Sequence, residues 1–204
     1  MMAKTHIAFS TLLTLTPIAI LQQTQTYTLD NQYHLPIIIG GVTLGALIPD
    51  IDEKNSTISR MSIVTLLFSW YLKYLGTQHR GATHKFIFFV LFLTMAIASY
   101  FMANKEIFIF ISAIAFGVLT HQIGDMMVGG GINKGGIYNY FSPFYTNNKT
   151  TKFLPFFMRC QINGIKEYFY FLIFTVANIY MLYALAPIEI DISSKQIIKS
   201  LTGI

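Results

Sequence analysis

The sequence predicts an all-α integral membrane protein: a bundle of about five transmembrane helices with a short interfacial or re-entrant helix. Three observations point to it. Of 204 residues, 53% are hydrophobic and only 11% charged, too few charges to cover a water-facing surface, since soluble domains carry roughly 25%. Eighteen Phe and twelve Tyr suit lipid contact and interfacial belts. Apolar segments near spanning length recur along a chain that is long enough for one domain, residues 1–204.

Five such segments stand out: Ile7–Leu21, Leu35–Ile48, Phe86–Ala103, Ile107–Leu119 with a possible extension to Met127, and Tyr168–Ala186. A spanning helix needs about 20 residues. The third and fifth segments nearly meet this alone. The others span only if their polar flanks continue the helix. Their Thr, Gly and Pro residues suit packing against protein rather than lipid. The first segment follows Lys4 as a signal peptide would, but Pro17 and Gln22-Gln23 make no small-residue cleavage site, so it reads as a retained span. Gly41 and Gly45 give the second segment a small-xxx-small face. Met61–Gly76 carries Trp70, Tyr71, Lys73 and Tyr74 and reads as the interfacial or tucked-back helix. Tyr138–Lys152 reads as a polar, turn-rich loop. The lone cysteine, Cys160, excludes an internal disulfide and a thiolate zinc site, and reads as inert filler.

The basic residues orient the spans. With the N-terminus in the cytoplasm, eleven of the fourteen Lys and Arg residues fall on the cytoplasmic side; only Lys105, Lys195 and Lys199 fall opposite. The positive-inside bias accounts for this asymmetry. The formal net charge of +5 is therefore topology-setting loop charge, and no nucleic-acid partner is expected.

This topology uses hydropathy and Lys/Arg alone, yet it gathers His6, Asp50, Asp52, His79, His84, His121 and Asp125 at the cytoplasmic face. His34 falls opposite and reads as a loop histidine. Ionisable groups at membrane depth are costly and usually face a cavity or a partner. Each group also has a simpler reading. His6 could be an interfacial residue near a helix start. Asp50 and Asp52 could cap the following segment. His121 and Asp125, four apart, share a helix face and could be a plain hydrogen-bonded pair. His79 and His84 are five apart and cannot share a helix face, but Gly81 lets the backbone turn between them.

Taken together, imidazole and carboxylate donors without thiolate suit a divalent transition metal, Zn²⁺ first and Mn²⁺ or Fe²⁺ as alternatives. Seven candidates exceed one tetrahedral site. They allow one ion with an acid/base group, or two ions as in phosphoesterases. Such a metal activates water near neutral pH, and Arg80 beside His79 could neutralise a phosphate oxygen, or simply set topology. Glycines 129–131, 135 and 136 permit close backbone approach, but no G-K-[ST] follows, so this is not a P-loop.

Several of these stretches resemble the YdjM-like family of predicted membrane-bound metal-dependent hydrolases. They are His6-Ile7-Ala8-Phe9-Ser10, Leu47-Ile48-Pro49-Asp50-Ile51-Asp52, His79-Arg80-Gly81-Ala82-Thr83-His84, Gly117 through His121-Gln122-Ile123-Gly124-Asp125, and Gly136-Ile137 with Ser142-Pro143. Their order and spacing cover residues 6–144. The resemblance carries metal-site roles to His6, Asp50, Asp52, His79, His84, His121 and Asp125. The chain departs from the family at Lys85, where Ser is frequent, at Met127-Val128-Gly129-Gly130, where Thr-Pro is frequent, and at Ser142, which displaces an aromatic. A fainter similarity, to zinc-dependent phospholipase C-like domains, rests on Pro49-Asp50, Thr83-His84 and Phe116-Gly117 with His121 and Asp125.

The expected function is a hydrolase of the phosphoesterase kind in the cytoplasmic (plasma or inner) membrane. Its expected substrate is a membrane lipid or lipid-linked phosphoester, because a site at headgroup depth reaches one without extraction. Asp50, His84, His121 and Asp125 lead the metal candidates, with His6 and His79 beside them; Asp52 and Arg80 are the expected catalytic groups. The alternative is a non-enzymatic membrane protein that binds or passes a metal ion.

Overall fold

The computed structural model describes residues 2–24, 33–74, 81–128, 132–134, 140–141, 150–151 and 159–185. Six long helices are described: α1 (Ala3–Gln23), α2 (His34–Gly45), α3 (Ile63–Tyr74), α4 (Phe86–Met102), α5 (Lys105–Met126) and α6 (Ile165–Leu185). Short 3₁₀ turns occupy Ile48–Asp52, Ile58–Arg60 and Ala82–His84. A two-stranded antiparallel ladder pairs Ile132–Lys134 with Thr150–Thr151.

Among the described residues, four stretches are long and apolar enough to cross a membrane: Ala3–Gln23, His34–Asp52, Lys105–Met126 and Ile165–Leu185. The expected extension through polar flanks occurs. Thr5, His6, Gln22 and Gln23 are all inside α1, and α5 runs past His121 and Asp125. The fifth expected span, α4, has 17 residues, a rise of about 26 Å against a hydrocarbon core of about 30 Å. It runs antiparallel to α5 and packs along it. It therefore covers most of the same thickness. The side chains of α4 and α6 are largely exposed, among them Ile87, Leu91, Ile97, Leu172, Val176 and Ile179, as lipid-facing helices require. α3, at 12 residues, is about 18 Å long and too short to span.

Close backbone packing of α2 on α5 organises the bundle. A Cβ on Gly41 would sit 2.7 Å from Ala113 Cβ, one on Gly45 would collide with the Ile114 carbonyl, and one on Gly117 would sit 2.5 Å from the Val42 carbonyl oxygen. Only glycine permits this approach, so the Gly41/Gly45 face is a helix-packing surface. α1 lies against α5 and α6. The Thr120 hydroxyl donates to Ser10 Oγ at 2.7 Å, joining α5 to α1, and Asn178 Nδ2 donates to the Ala8 carbonyl at 2.7 Å, joining α6 to α1. The buried Glu167 carboxylate accepts from the Met2 and Asn163 amides, which ties the start of α1 to the start of α6.

His34 differs from its expected loop setting. It opens α2 and is buried, although it does lie at the far end of that helix from Asp50. Cys160 is fully buried and bridges to Val128. Burial, and then the Glu167 carboxylate, push its thiol pKa up, as an inert thiol requires.

Candidate metal centre

Four separate stretches deliver the site to one end of the bundle. α1 supplies His6 from its first turns. The 3₁₀ turn Ile48–Asp52, which continues the path of α2, supplies Asp50 and Asp52. The 3₁₀ turn before α4 supplies His84. The last turns of α5 supply His121 and Asp125. Helix polarity explains the convergence: α1 and α4 begin at this end, while α2 and α5 finish there.

Four donor atoms meet at short range. His84 Nε2 and His121 Nε2 are 3.2 Å apart. Asp50 Oδ1 lies 3.6 Å from each of them. Asp125 Oδ2 lies 3.4 Å from His84 Nε2 and 3.9 Å from His121 Nε2. A tetrahedral ion with bonds of 2.0–2.2 Å sets its ligands about 3.3–3.6 Å apart. Asp50 Oδ1, His84 Nε2 and His121 Nε2, 3.2–3.6 Å from one another, are close to that spacing, Asp125 Oδ2 stands 3.4 and 3.9 Å from the two nitrogens, and the residue types match the nitrogen and oxygen preference of Zn²⁺.

The outer edges of both rings fix their tautomers. His121 Nδ1 is 2.6 Å from the Ala46 carbonyl oxygen, which can only accept, so Nδ1 carries the proton. The Thr83 hydroxyl donates to Asp52 Oδ2 at 2.7 Å, and its oxygen is then the acceptor for His84 Nδ1 at 3.0 Å. In their neutral forms both rings therefore turn an Nε2 lone pair inward, each toward the other. Two lone pairs at this distance repel unless positive charge lies between them. Burial opposes a charge on His84, but the carboxylates of Asp125, Asp50 and Asp52 outweigh it and hold the His84 pKa well above its ordinary value. The centre is built to attract a cation.

His6 stacks on His121 with ring centroids 3.8 Å apart and 13° between planes. Its Nε2 lies 3.2 Å from Asp125 Oδ1, so Asp125 faces His6 with one oxygen and the other two histidines with the second. His6 Nδ1 is buried and has no hydrogen-bond partner among the described residues. His6, His121 and Asp125 form a second group with metal-ligand spacing, beside Asp50, His84 and His121. Access is one-sided: the Asp50 side chain is 18% exposed, while His6, His84, His121 and Asp125 are at 0–1%.

The structure thus brings together His6, Asp50, His84, His121 and Asp125. Asp52 is adjacent but sits at the Nδ1 edge of His84, 3.7 Å away and across the ring from the four donors. His79, Arg80 and glycines 129–131, 135 and 136 lie outside the described residues.

Three further residues hold the centre in place. Thr83 links Asp52 to His84. Gln122, fully buried, donates from Nε2 to the Lys85 carbonyl at 3.0 Å and accepts from the Tyr140 hydroxyl at 2.8 Å, pinning the His84 turn to α5. Burial pushes the Tyr140 pKa up to about 12, which keeps it a donor. A buried Gln next to a candidate histidine was the available signal for Gln122. Nothing in the pattern marked Tyr140.

The family model described as YdjM inner membrane protein matches residues 1–190. No curated protein and no solved structure matches. The fainter likeness to phospholipase C-like domains finds no support in these comparisons.

Proposed function

We propose that this chain, which belongs to the YdjM inner membrane protein family, is a membrane-bound metal-dependent hydrolase of a lipid or lipid-linked phosphoester. Its centre faces the cytoplasm in this reading, because eleven of fourteen basic residues share that side. One observation supports it above the rest: Asp50 Oδ1, His84 Nε2 and His121 Nε2 stand 3.2–3.6 Å apart at one end of a membrane bundle, with Asp125 Oδ2 3.4 and 3.9 Å from the two nitrogens. That end is where headgroups lie.

Asp50, His84, His121 and Asp125 would hold one divalent ion, Zn²⁺ in preference to Mn²⁺ or Fe²⁺. We favour one ion over two because both candidate groups need His121, whose Nδ1 is engaged by Ala46 and which has one lone pair to give. When bound, the ion supplies Lewis acidity for water and for a phosphoryl oxygen. His6 Nε2, outside the four-donor set and 3.2 Å from Asp125 Oδ1, is placed to take and return a proton. Asp52 and Thr83 act through His84 by fixing its tautomer and ring plane. Arg80 steadies the phosphoryl charge with its guanidinium fork. Substrate enters past Asp50, the exposed edge.

A second reading has its own support. Four protein donors would complete a tetrahedral shell, as in closed structural sites, whereas catalytic sites keep a position open. A non-enzymatic ion-holding protein fits that closure. Purified, metal-loaded protein screened against phospholipids and lipid phosphates separates the two. Turnover that disappears with His6→Gln while metal remains supports hydrolysis. A fully metallated protein inert to every substrate supports ion holding.

A further inference from the structure

α3 leaves an unusual surface. Ile63, Val64, Leu67, Trp70, Tyr71 and Tyr74 are all exposed, and Ser69 is its one buried residue. On a soluble protein this surface would cause aggregation; on a membrane protein it belongs in the interface, with Trp and Tyr at headgroup level. The helix packs against the 3₁₀ turn Ile48–Asp52, so it lies at the end of the bundle that holds the metal centre.

Lys54, Trp70, Lys73 and Tyr74 line a pocket of about 290 Å³ beside this helix. Among the described residues that line it, the two charged ones are both cationic. No carboxylate among the described residues pairs with either lysine. Two unneutralised ammonium groups flanked by two interfacial aromatic rings complement a group with a negative head and an apolar tail.

We propose that Lys54, Trp70, Lys73 and Tyr74 form a headgroup site for an anionic phospholipid of the surrounding bilayer. The two ammonium groups take the phosphate, and the indole and phenol rings lie along the glycerol and upper acyl region. This site requires the membrane placement of the chain but not the hydrolytic reading. It would hold anionic headgroups beside the turn that carries Asp50.

Trp70 is the single tryptophan of the protein, so its fluorescence reports on this pocket alone. The full chain is reconstituted in phosphatidylcholine vesicles containing either brominated phosphatidylglycerol or brominated phosphatidylcholine, and Trp70 quenching is titrated. Phosphatidylglycerol should be preferred by up to about 25-fold, each of the two lysines near an anionic headgroup contributing about fivefold. The double variant Lys54→Gln/Lys73→Gln should bring the preference to near unity. Lys105→Gln, at the opposite end of the bundle, should leave it intact. Metal-stripped protein should keep it too, which separates this site from the metal centre. Equal quenching by both lipids, or a preference that survives in the double variant, overturns the proposal. So does an equal Trp70 response to inorganic phosphate in phosphatidylcholine vesicles, which would mark a free-phosphate site.

Discussion

His121 donates its Nδ1 proton to the carbonyl oxygen of Ala46 across 2.6 Å. This contact depends on backbone proximity. Ala46 follows Gly45, His121 lies one helical turn beyond Gly117, and α2 and α5 touch through those two glycines. The direction of the His121 lone pair is thus set by helix packing one turn away.

Gly45→Ala and Gly117→Ala should each lower the thermal midpoint in detergent, at a cost of about 1–3 kcal/mol from overpacking. They should also reduce metal content, because α2 must retreat from His121. Gly40→Ala, whose Cβ would meet nothing within 4 Å, should change neither. Thermal melts with parallel metal analysis check this. Equal behaviour of the three variants would detach the glycine contact from the site.

Thr83→Val removes the hydroxyl that joins Asp52 to His84. Outer partners of this kind typically contribute 10–100-fold to metal affinity. Thr83→Val and Asp52→Asn should therefore each weaken affinity in a competition titration by about that range, with the fold retained by circular dichroism. Undiminished affinity in both would place them outside the site.

Much of this was legible in the sequence, and physical reasons separate what was from what was not. Helix positions followed from hydropathy, and the shared face of His6, Asp50, His84, His121 and Asp125 followed from alternating helix direction. Hydropathy lost the helix ends, because the residues that interrupt the apolar runs, such as His6, Gln122 and Asp125, are buried among polar partners and remain helical. His34 read as a loop residue for the same reason. The distinction between Asp50 and Asp52 was also hidden. Two residues apart in a 3₁₀ turn, they approach opposite edges of one His84 ring. No periodicity shows which edge each will take.

Arg80→Lys keeps the charge but loses the bidentate fork. Given a lipid phosphoester that the wild type hydrolyses, this variant should turn over more slowly with metal content nearly unchanged. His6→Gln should likewise keep its metal while turnover falls about 10²–10⁴-fold, the range for a lost acid/base group. Metal loss in step with turnover in either variant would move that residue into the ligand set.

Single cysteines at Thr57 and Asn147 test orientation, with Cys160 as a silent background because it is fully buried. Both positions should resist an impermeant maleimide added to intact cells and react after lysis. Efficient labelling of either from outside reverses the proposed topology.

Elemental analysis of the full chain, purified without chelators, tests the central claim most directly. The expected result is about one divalent transition-metal ion per chain, most of it lost in His121→Ala and in Asp125→Ala and kept in His34→Gln. Wild-type protein free of metal, or His121→Ala and Asp125→Ala proteins that are folded and fully metallated, would contradict it.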